Sequence, residues 1–351
     1  MLAFGAVVAA SAGAGGVVAE LHKKTASTIT SAINTAAAKL PTVFKRATPL
    51  PVDPALSISG LSPLVTATKD FFRIDTAFSV PEISVDTWKL KVDGLVAQPA
   101  LFTYADLLAM PMMEIDCTIG CVSDTVGGDL VGNARWLGVK LDHILNQVHP
   151  QKTADQILSF SSDGFSAGFP VEAAYDRDAI VAIAMNGEVL TREHGFPARL
   201  IVPGLYGYVS ATKWLSNINL TRFDQKQGFW ISRGWSQLGP IKTESRIDNF
   251  KQGQRISAKP THIAGVAWAP TKGITKVEVQ IDNEPWQSAT LGPQISKASW
   301  RQWWIDWTPT PGLHRMTVRA TDGSGYTQSP KTATPAPNGA SGWHSLSVNV
   351  A

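Results

Sequence analysis

Apolar and polar residues alternate along several short segments of the chain, and this pattern predicts its secondary structure. The segment TWKLKVDGLV alternates as a half-buried strand does, whereas ARLIVPG is an apolar run short enough for a buried strand. TYADLLAM predicts a short helix with Thr103 as its N-cap, and WLGVKLDHILNQV predicts an amphipathic helix. Strands and helices do not alternate regularly, so we predict an irregular α+β domain rather than a doubly wound sheet.

The pattern changes near residue 249. Beyond it, short alternating segments recur at regular intervals, with the turn signals DN, PG and DGSG between them. Evenly spaced short strands with turn residues are typical of an all-β sandwich of about 100 residues. We therefore predict a first folded domain over 60–248 and a β-sandwich over 249–351. The alternating segments are THIAGVAWAP, ITKVEVQIDNEPWQSATL, WRQWWIDWTP, GLHRMTVRATDGSG and WHSLSVNV.

The N-terminal segment has a different character. Residues 1–19, MLAFGAVVAASAGAGGVVA, carry no charge, and their length is just sufficient to span a bilayer. No positive charge precedes the apolar run, as a signal peptide would require. We therefore expect a membrane anchor or export segment that has lost its upstream end, with a flexible Ala/Gly-rich terminus as the alternative. Residues 20–59, rich first in Ala, Ser and Thr and then in Pro, predict a linker.

Composition narrows the class of protein. The 351 residues suggest about two domains, and 44% apolar with 17% charged residues indicates a globular chain rather than a disordered one. The net charge is +3 and the basic residues are scattered, so we expect no nucleic-acid partner. Two cysteines are too few for the disulfide framework of a small secreted domain.

The two cysteines, Cys117 and Cys121, lie in the segment MEIDCTIGCVSDTVGGDLVGNARWLG. A disulfide requires Cα atoms within about 7 Å, whereas an extended backbone would hold them ~13 Å apart. CTIGC is neither a CxxC nor a CxxCH motif, and the seven histidines include no HxH or HxxxH pair that would favour a zinc site. A buried apolar pair, a disulfide across a tight turn and a reactive thiol all remain open from the residues alone.

Other catalytic patterns are absent, and a polar set in apolar surroundings remains. The chain has no GxSxG, and its GAGG lies outside any strand-turn-helix unit. Arg73 lies between aromatic residues in DFFRIDTAF, and SSDGFSAGFP is a loop rich in Gly and Ser. His194 and Arg199 flank one turn, and Ser210 and Lys213 surround a glycine-containing loop. Cationic side chains beside Gly and Ser loops suit a large anionic ligand.

Several long motifs over residues 60–351 resemble the sulfite oxidase family of molybdopterin enzymes, especially its bacterial membrane-anchored branch. HGFPARLIVPGLYGYVSATKWL resembles the family pattern HGFPxRxxVPG followed by KW. CVSDTVGGDLVGNARW resembles the segment that carries the molybdenum cysteine in this family. Two further segments, MNGEVL and FFRIDTAFSVP, also resemble the family. WRQWWIDW and GWHSLSV resemble the immunoglobulin-like C-terminal domain of the family.

The resemblance implies a fold, a cofactor and a set of site residues. The fold would be an α+β molybdopterin-binding domain followed by an immunoglobulin-like β-sandwich, and the cofactor would be molybdenum-molybdopterin. Cys121 would be the thiolate ligand to molybdenum, while Cys117 would be buried packing. Catalytic roles would fall to Cys121 and Arg73. The residues implied to hold or face the pterin and its phosphate are Arg73, Asp163, Ser166, His194, Arg199, Ser210 and Lys213.

The chain departs from the family near the substrate. Asp124 stands where relatives usually have Asn, and TVGG replaces the Arg-Arg pair of the eukaryotic sulfite oxidases. Their active-site Tyr has no counterpart, and Trp230 falls near its position. These departures put the sulfite pocket in question while leaving the cofactor site intact.

The resemblance also implies a reaction and partners. We expect oxygen-atom transfer to or from a small sulfite-like or sulfoxide-type molecule, in either direction. A cytochrome or quinone-linked redox partner, a homodimer and a membrane-anchored, extracytoplasmic location are further expectations. Two hypotheses from other classes stand beside this one. The first is a cofactor-free binding or scaffold protein that keeps the fold, and the second is a thiol-redox protein that uses Cys117 and Cys121.

Overall fold

A computed structural model describes residues 40–51 and 58–351. The expected anchor over 1–19 and most of the expected linker over 20–59 lie outside the described residues. Among the described residues, no helix has the length and apolar character needed to cross a membrane. The described part is built from four β-sheets and a few short helices.

The first two sheets form the N-terminal part and share a large apolar core. Sheet one has the order β1-β4-β5-β8-β10, with β9 paired to β8: β1 Val43–Lys45, β4 Met112–Gly120, β5 Val131–Lys140, β8 Ile180–Met185, β9 Glu188–Val189 and β10 Arg199–Ile201. Sheet two has the order β3-β2-β11-β6-β7: β2 Lys89–Gly94, β3 Ala100–Thr103, β6 Gln156–Ser161, β7 Ser166–Pro170 and β11 Leu215–Thr221.

The helices are short. They are α1 Tyr104–Ala109, α2 Leu141–Val148 and α3 Gly207–Ser210, with 3₁₀ turns at Thr68–Asp70, Val171–Ala174 and Ile231–Arg233. The predicted N-cap at Thr103 is confirmed, because its hydroxyl accepts from the Asp106 backbone N–H in a reciprocal capping box. The predicted α+β class is right only in part, since the described residues are mostly β.

The helix predicted over WLGVKLDHILNQV is wrong in its first five residues. Residues 136–140 form the end of β5, which pairs with both β4 and β8, and the helix begins only at Leu141. Both faces of this strand are buried, so its side chains are apolar in succession and lack the alternation of a half-exposed strand. The predicted strands at TWKLKVDGLV and ARLIVPG are confirmed as β2 and β10.

The C-terminal residues form two sheets that enclose a second core. Sheet three has the order β12-β14-β18-β17: β12 Glu244–Ile247, β14 Thr261–Trp268, β17 Thr290–Leu291 and β18 Arg301–Trp307. Sheet four has the order β13-β20-β19-β15-β16: β13 Gln254–Ile256, β15 Ile274–Ile281, β16 Gln287–Ser288, β19 Gly312–Asp322 and β20 His344–Val350. The boundary at 248 and the immunoglobulin-like assignment stay predictions.

The two halves are joined by direct contacts near the end of β4. The Trp300 backbone N–H donates to the Thr118 hydroxyl at 2.7 Å, and the Trp300 indole N–H donates to the Leu64 carbonyl at 2.9 Å. The Thr118 N–H donates to the Ala298 carbonyl at 2.9 Å. The strand that leads to Cys121 therefore has the C-terminal half as one of its supports.

Candidate cofactor site

Cys121 lies directly after β4, at the start of the loop that leads to β5. Its N–H donates to the Leu130 carbonyl at 2.8 Å, which closes the loop at its base. The thiol is partly exposed, and its Sγ is 2.9 Å from the Ser123 hydroxyl. The side chain lines a cavity of about 230 Å³. Cys121 thus presents its sulfur to an open pocket.

Cys117 has the opposite environment. It lies within β4 and is fully buried, and this burial raises the pKa of its thiol to about 12. Both cysteines are free thiols. Because the backbone between them is an extended strand, they are separated by roughly 13 Å at ~3.3 Å per residue. The geometry therefore favours a packing role for Cys117 and offers no pairing with Cys121.

Arg199 forms a buried cationic part of the cavity wall. It is the first residue of β10, and its side chain is only 4% exposed. Its Nη1 donates to the His194 carbonyl at 3.1 Å, and its carbon Cζ lies 5.0 Å from the centre of the Trp136 ring. Burial lowers the pKa of the guanidinium to about 9. Within the described residues, Arg199 has no carboxylate partner, and its buried Nε has no hydrogen-bond partner.

Lys213 is the second cation of the cavity, and it is paired. Its Nζ donates to Asp75 Oδ2 at 2.8 Å and to the Glu193 carbonyl at 3.0 Å. Arg73 Nε donates to the same Asp75 oxygen at 3.0 Å. Burial acts to raise the pKa of Asp75, but the hydrogen bonds from Lys213 and Arg73 outweigh it and hold that pKa below its usual value.

His194 completes the polar side of the cavity. Its Nε2 lies 2.9 Å from the Thr68 carbonyl oxygen, and burial lowers the pKa of the ring. A carbonyl oxygen can only accept, so the neutral ring carries its proton on Nε2 and leaves Nδ1 as an acceptor. The turn that carries His194 is closed by its N–H, which donates to the Thr191 carbonyl at 3.1 Å.

The other side of the cavity is aromatic. Tyr208 and Trp235 have ring centres 5.9 Å apart, and Trp235 and Trp230 have ring centres 6.4 Å apart. The Tyr208 hydroxyl donates to the Ser236 carbonyl at 2.6 Å, so it is already satisfied. The aromatic residues that line the cavity include Phe72, Phe165, Tyr208, Trp214, Trp230 and Trp235.

The residues predicted from the sequence divide into two groups. Those that line the cavity are Cys121, Asp163, His194, Arg199 and Lys213. Arg73, Ser166 and Ser210 do not line it. Arg73 is exposed and reaches the cavity wall only through Asp75. The Ser210 hydroxyl is buried and donates to the carbonyls of Leu205 and Tyr206.

Sequence reasoning missed several residues of the wall. Asp75 is the most consequential, since it accepts from both Lys213 and Arg73. It stands two positions after Arg73 in the segment DFFRIDTAF, so the same aromatic surroundings could have singled it out. Ser161 lines the cavity where Ser166 was expected. Tyr208 and Trp235 carried no signal in the sequence beyond their aromatic character.

The residues present fit the anionic, metal-bearing cofactor implied by the sequence resemblance. A buried guanidinium without a carboxylate partner is costly unless an anionic ligand compensates it. Arg199 is such a group, and it lines the same cavity as the accessible thiol of Cys121. Thiolate sulfur is a soft ligand suited to a transition metal. The donor set thus combines one soft metal ligand with cations for an anion.

The environment of Lys213 predicts a pH-dependent stability. Burial outweighs the effect of Asp75 and lowers the pKa of Lys213 from 10.5 to about 8. A lysine whose pKa is lower in the folded chain than in the unfolded chain disfavours folding while it is charged. The stability of the folded chain therefore rises as the pH increases from the folded-state pKa to the unfolded-state pKa. We expect the free energy of unfolding of the cofactor-free chain to gain about 1–3 kcal/mol over this interval.

This gain is measured by chemical denaturation of wild type and Lys213→Met between pH 7.5 and 10.5. The free energy of unfolding must be determined to within ~1 kcal/mol. The matched control is Lys276→Met, since Lys276 is also paired with a carboxylate, Glu278, but has a half-exposed side chain. Between pH 7.5 and 9 the rise should disappear in Lys213→Met and persist in Lys276→Met, while above pH 9 the lowered pKa of Arg199 adds a rise in all three proteins. A rise of equal size in all three proteins below pH 9 would show that groups other than Lys213 cause it.

A family model described as "Oxidoreductase molybdopterin binding domain" matches residues 77–230. The oxidoreductase YuiH of Bacillus subtilis is 34% identical over 152 residues, covering 43% of this chain and 74% of YuiH. Human mitochondrial sulfite oxidase is 26% identical over 325 residues, covering 77% of this chain and 59% of the human protein. The chain thus spans less than two thirds of the length of the human enzyme.

Among solved structures, the sulfane dehydrogenase SoxCD from Paracoccus pantotrophus has a similar fold. The superposition has a TM-score of 0.71 with 22% sequence identity, and it covers 91% of this chain and 92% of the other. Since the match extends over nearly the whole chain, both the first two sheets and the C-terminal pair share the arrangement found in that protein.

Proposed function

Because the chain belongs to the sulfite oxidase family of molybdopterin-binding oxidoreductases, we propose that it transfers an oxygen atom to or from a small, uncharged sulfur compound. The family implies the molybdenum cofactor, and Cys121 is proposed as the protein ligand to the metal. The observation that carries the proposal is one cavity lined by the accessible thiol of Cys121, the unpaired guanidinium of Arg199 and the amine of Lys213.

Each of these residues has a distinct task. Arg199 and Lys213 are placed to bind the anionic part of the cofactor, and His194 offers Nδ1 as a hydrogen-bond acceptor. Cys121, which lies directly after β4 and lines the same cavity, would bind the metal. When bound, the cofactor supplies the two-electron oxygen-atom transfer, while the protein supplies binding, orientation and exclusion of water.

The aromatic side of the cavity supports an uncharged substrate. A dianion such as sulfite would need unpaired cations near it to offset the loss of water. Of the cations that line the described cavity, Lys213 is paired with Asp75 and Arg199 is placed for the cofactor. Arg233 lies next to Trp230, but its carbon Cζ is 3.6 Å from the centre of the Phe229 ring and its Nη1 donates to the Phe229 carbonyl. A sulfoxide or thioether would instead gain from burial against Trp230 and Trp235.

Two-electron chemistry also requires an electron-transfer partner. We propose a cytochrome or quinone-linked protein in this role, in keeping with the similarity to proteins named as an oxidase and a dehydrogenase. The apolar residues 1–19 support a membrane-anchored, extracytoplasmic location, and the C-terminal sheets are proposed to mediate a homodimer. The immunoglobulin-like assignment of those sheets belongs to the same set of proposals.

The test begins with the metal. The chain is produced in a host that synthesises the molybdenum cofactor and in a matched host that does not, and molybdenum is measured by mass spectrometry. We expect about one molybdenum per chain in the first host and none in the second, since one cofactor site is present. Absence of molybdenum in both would favour the cofactor-free scaffold hypothesis.

Substrate class is tested on the loaded protein. Methyl phenyl sulfoxide and sulfite are compared as substrates, with reduced and oxidised dyes as the respective electron donors and acceptors. We expect kcat/KM for the sulfoxide to exceed that for sulfite by at least about 10-fold, because one well-matched apolar contact is worth that factor. A preference for sulfite would contradict the uncharged substrate while leaving the cofactor assignment in place.

A further inference from the structure

The loop after Cys121 rests on the C-terminal half of the protein. We define the cysteine loop as residues 122–130, between the end of β4 and the start of β5. Several hydrogen bonds are internal to it: the Asp124 N–H donates to the Cys121 carbonyl at 3.2 Å, the Gly128 N–H donates to the Thr125 carbonyl at 2.9 Å and the Thr125 N–H donates to Asp124 Oδ1 at 3.0 Å. These bonds shape the loop, and neighbouring side chains of the C-terminal half contact it from outside.

Arg246, in β12 of the third sheet, is the first such neighbour. Its Nη1 donates to the Gly128 carbonyl at 2.6 Å. Its other nitrogens donate to Asp248 Oδ1 at 2.6 Å and to the Ser62 hydroxyl at 3.0 Å. The side chains of Arg246 and Asp248 are 13% and 4% exposed, so the guanidinium is held in one place on three sides. A fixed donor of this kind fixes the backbone that it binds.

His344, the first residue of β20, is the second neighbour. Its Nδ1 accepts from the Ile247 N–H at 3.0 Å, which fixes the orientation of the ring. Gly127 has a φ of +80° and lies so close to this ring that an added Cβ would overlap it. The backbone of the cysteine loop therefore packs closely against His344, and only glycine permits both the close approach and the positive φ.

Neither residue touches the cavity. Arg246 and His344 do not line it, so any effect they have on the site passes through the loop backbone. Cys121 directly precedes the loop, and its N–H donates to the carbonyl of Leu130, the last residue of the loop, so its backbone is joined to both ends of the loop. Two contacts from two different C-terminal strands converge on adjacent residues of this loop.

We propose that Arg246 and His344 are positioning residues, which fix the cysteine loop and thereby hold the Cys121 thiol toward the cavity. The C-terminal sheets would then be part of the site rather than a separate appendage. The inference rests on the proposed function only in assigning metal binding to the Cys121 thiol. The positioning itself is a property of the chain and can be measured without the cofactor.

The experiment measures thiol reactivity in the cofactor-free protein. Iodoacetamide is added under native conditions, and the alkylation rates of the Cys117 and Cys121 peptides are followed separately by mass spectrometry. We expect Arg246→Ala and His344→Ala to raise the rate at Cys121 by roughly 3- to 10-fold, because the released loop exposes the thiol more often. Cys117, buried in β4, is the internal control and should not change.

Arg319→Ala is the matched control. Arg319 also lies in the C-terminal sheets, donates to a carboxylate, Glu278, and stacks over Trp286, but it does not contact the cysteine loop. Its removal should leave the rates at both cysteines unchanged. A rise at Cys117 together with Cys121 would indicate general loosening and overturn the proposal, as would an unchanged or slower rate at Cys121 in both variants.

Three further proteins keep the test valid if Arg246→Ala does not fold. Arg246→Gln combined with Asp248→Asn removes both charges together, so no buried carboxylate is left unpaired. Gly127→Ala is compared with Gly253→Ala, which has a similar φ of +74° but open space around it. Only the first should speed alkylation of Cys121. The molybdenum content of the same proteins distinguishes the two proposals, since altered reactivity with no molybdenum in wild type would overturn only the proposed function.

Discussion

Replacing Cys121 by serine is expected to lower oxygen-atom-transfer turnover by at least about 10³-fold, since a neutral hydroxyl cannot replace a soft thiolate on molybdenum. The loss should appear in kcat rather than in KM, because the aromatic side of the cavity that would bind the substrate is unchanged. Steady-state kinetics on protein normalised to its molybdenum content provide the measurement.

Cys117→Ser is the matched control for this prediction. The chemical change is identical and only four positions away, but Cys117 is fully buried in β4 and does not line the cavity. Its thiol already donates weakly to the Thr118 carbonyl at 3.5 Å, and a hydroxyl can do the same. We expect kcat to stay within about 2-fold of wild type, with a small loss of stability from the buried hydroxyl. Equal loss of kcat in both variants would contradict the assignment of Cys121 and favour the thiol-redox hypothesis.

The sequence was informative where a motif was long and continuous. HGFPARLIVPGLYGYVSATKWL alone carries His194, Arg199 and Lys213, and all three line the cavity. This succeeded because a turn and a short strand, β10, fix the spacing of the first two residues locally. The direction of a side chain can be inferred from sequence in such segments, since local backbone geometry decides it.

The sequence was incomplete where a long-range partner decides the outcome. Arg73 was expected in the site, but its side chain is exposed and Asp75 rather than Arg73 lines the cavity, so the role of Arg73 stays a prediction. Asp75 is fixed by Lys213, 138 positions later in the chain, and no local pattern contains that information. The Ser210 hydroxyl was likewise unpredictable, because it donates to backbone carbonyls within its own turn instead of facing the cavity.

The same reasoning explains why the C-terminal sheets were read as a separate unit. Their alternating strands predict a sandwich from local pattern alone. The contacts of Arg246 and His344 with the cysteine loop join residues more than 100 positions apart, and no local pattern around either residue contains that pairing. The Gly-Gly pair in TVGG was the available signal, since Gly127 has a positive φ and glycine permits a close approach by another part of the chain.

The second large effect is expected at Arg199. A buried guanidinium with no carboxylate partner lowers the stability of the cofactor-free chain, and an anionic ligand would compensate that cost. We expect Arg199→Met to reduce the molybdenum content of the purified protein by roughly 10- to 100-fold, as the loss of a residue supporting a metal site does. Metal analysis of protein from the cofactor-producing host measures this.

The cofactor-free form of the same variant should behave differently. Removing Arg199 loses hydrogen bonds to the His194 and Ala211 carbonyls, of which the second is long at 3.4 Å, but it also removes the cost of an unpaired buried charge. These contributions oppose each other, so we expect the free energy of unfolding to stay within about 1 kcal/mol of wild type. Denaturant unfolding of protein from the host without cofactor measures it.

Arg301→Met separates a ligand-binding role from a structural one. Arg301 also donates to two backbone carbonyls, those of Gly292 and Ile274, at 2.7 and 2.9 Å, but it does not line the cavity. Its loss should lower the free energy of unfolding by about 1–3 kcal/mol while the folded protein keeps its molybdenum. If Arg199→Met instead lost stability as Arg301→Met does and retained its metal, then Arg199 would belong to the framework of the protein, and the proposed anionic ligand would have to be held by Lys213.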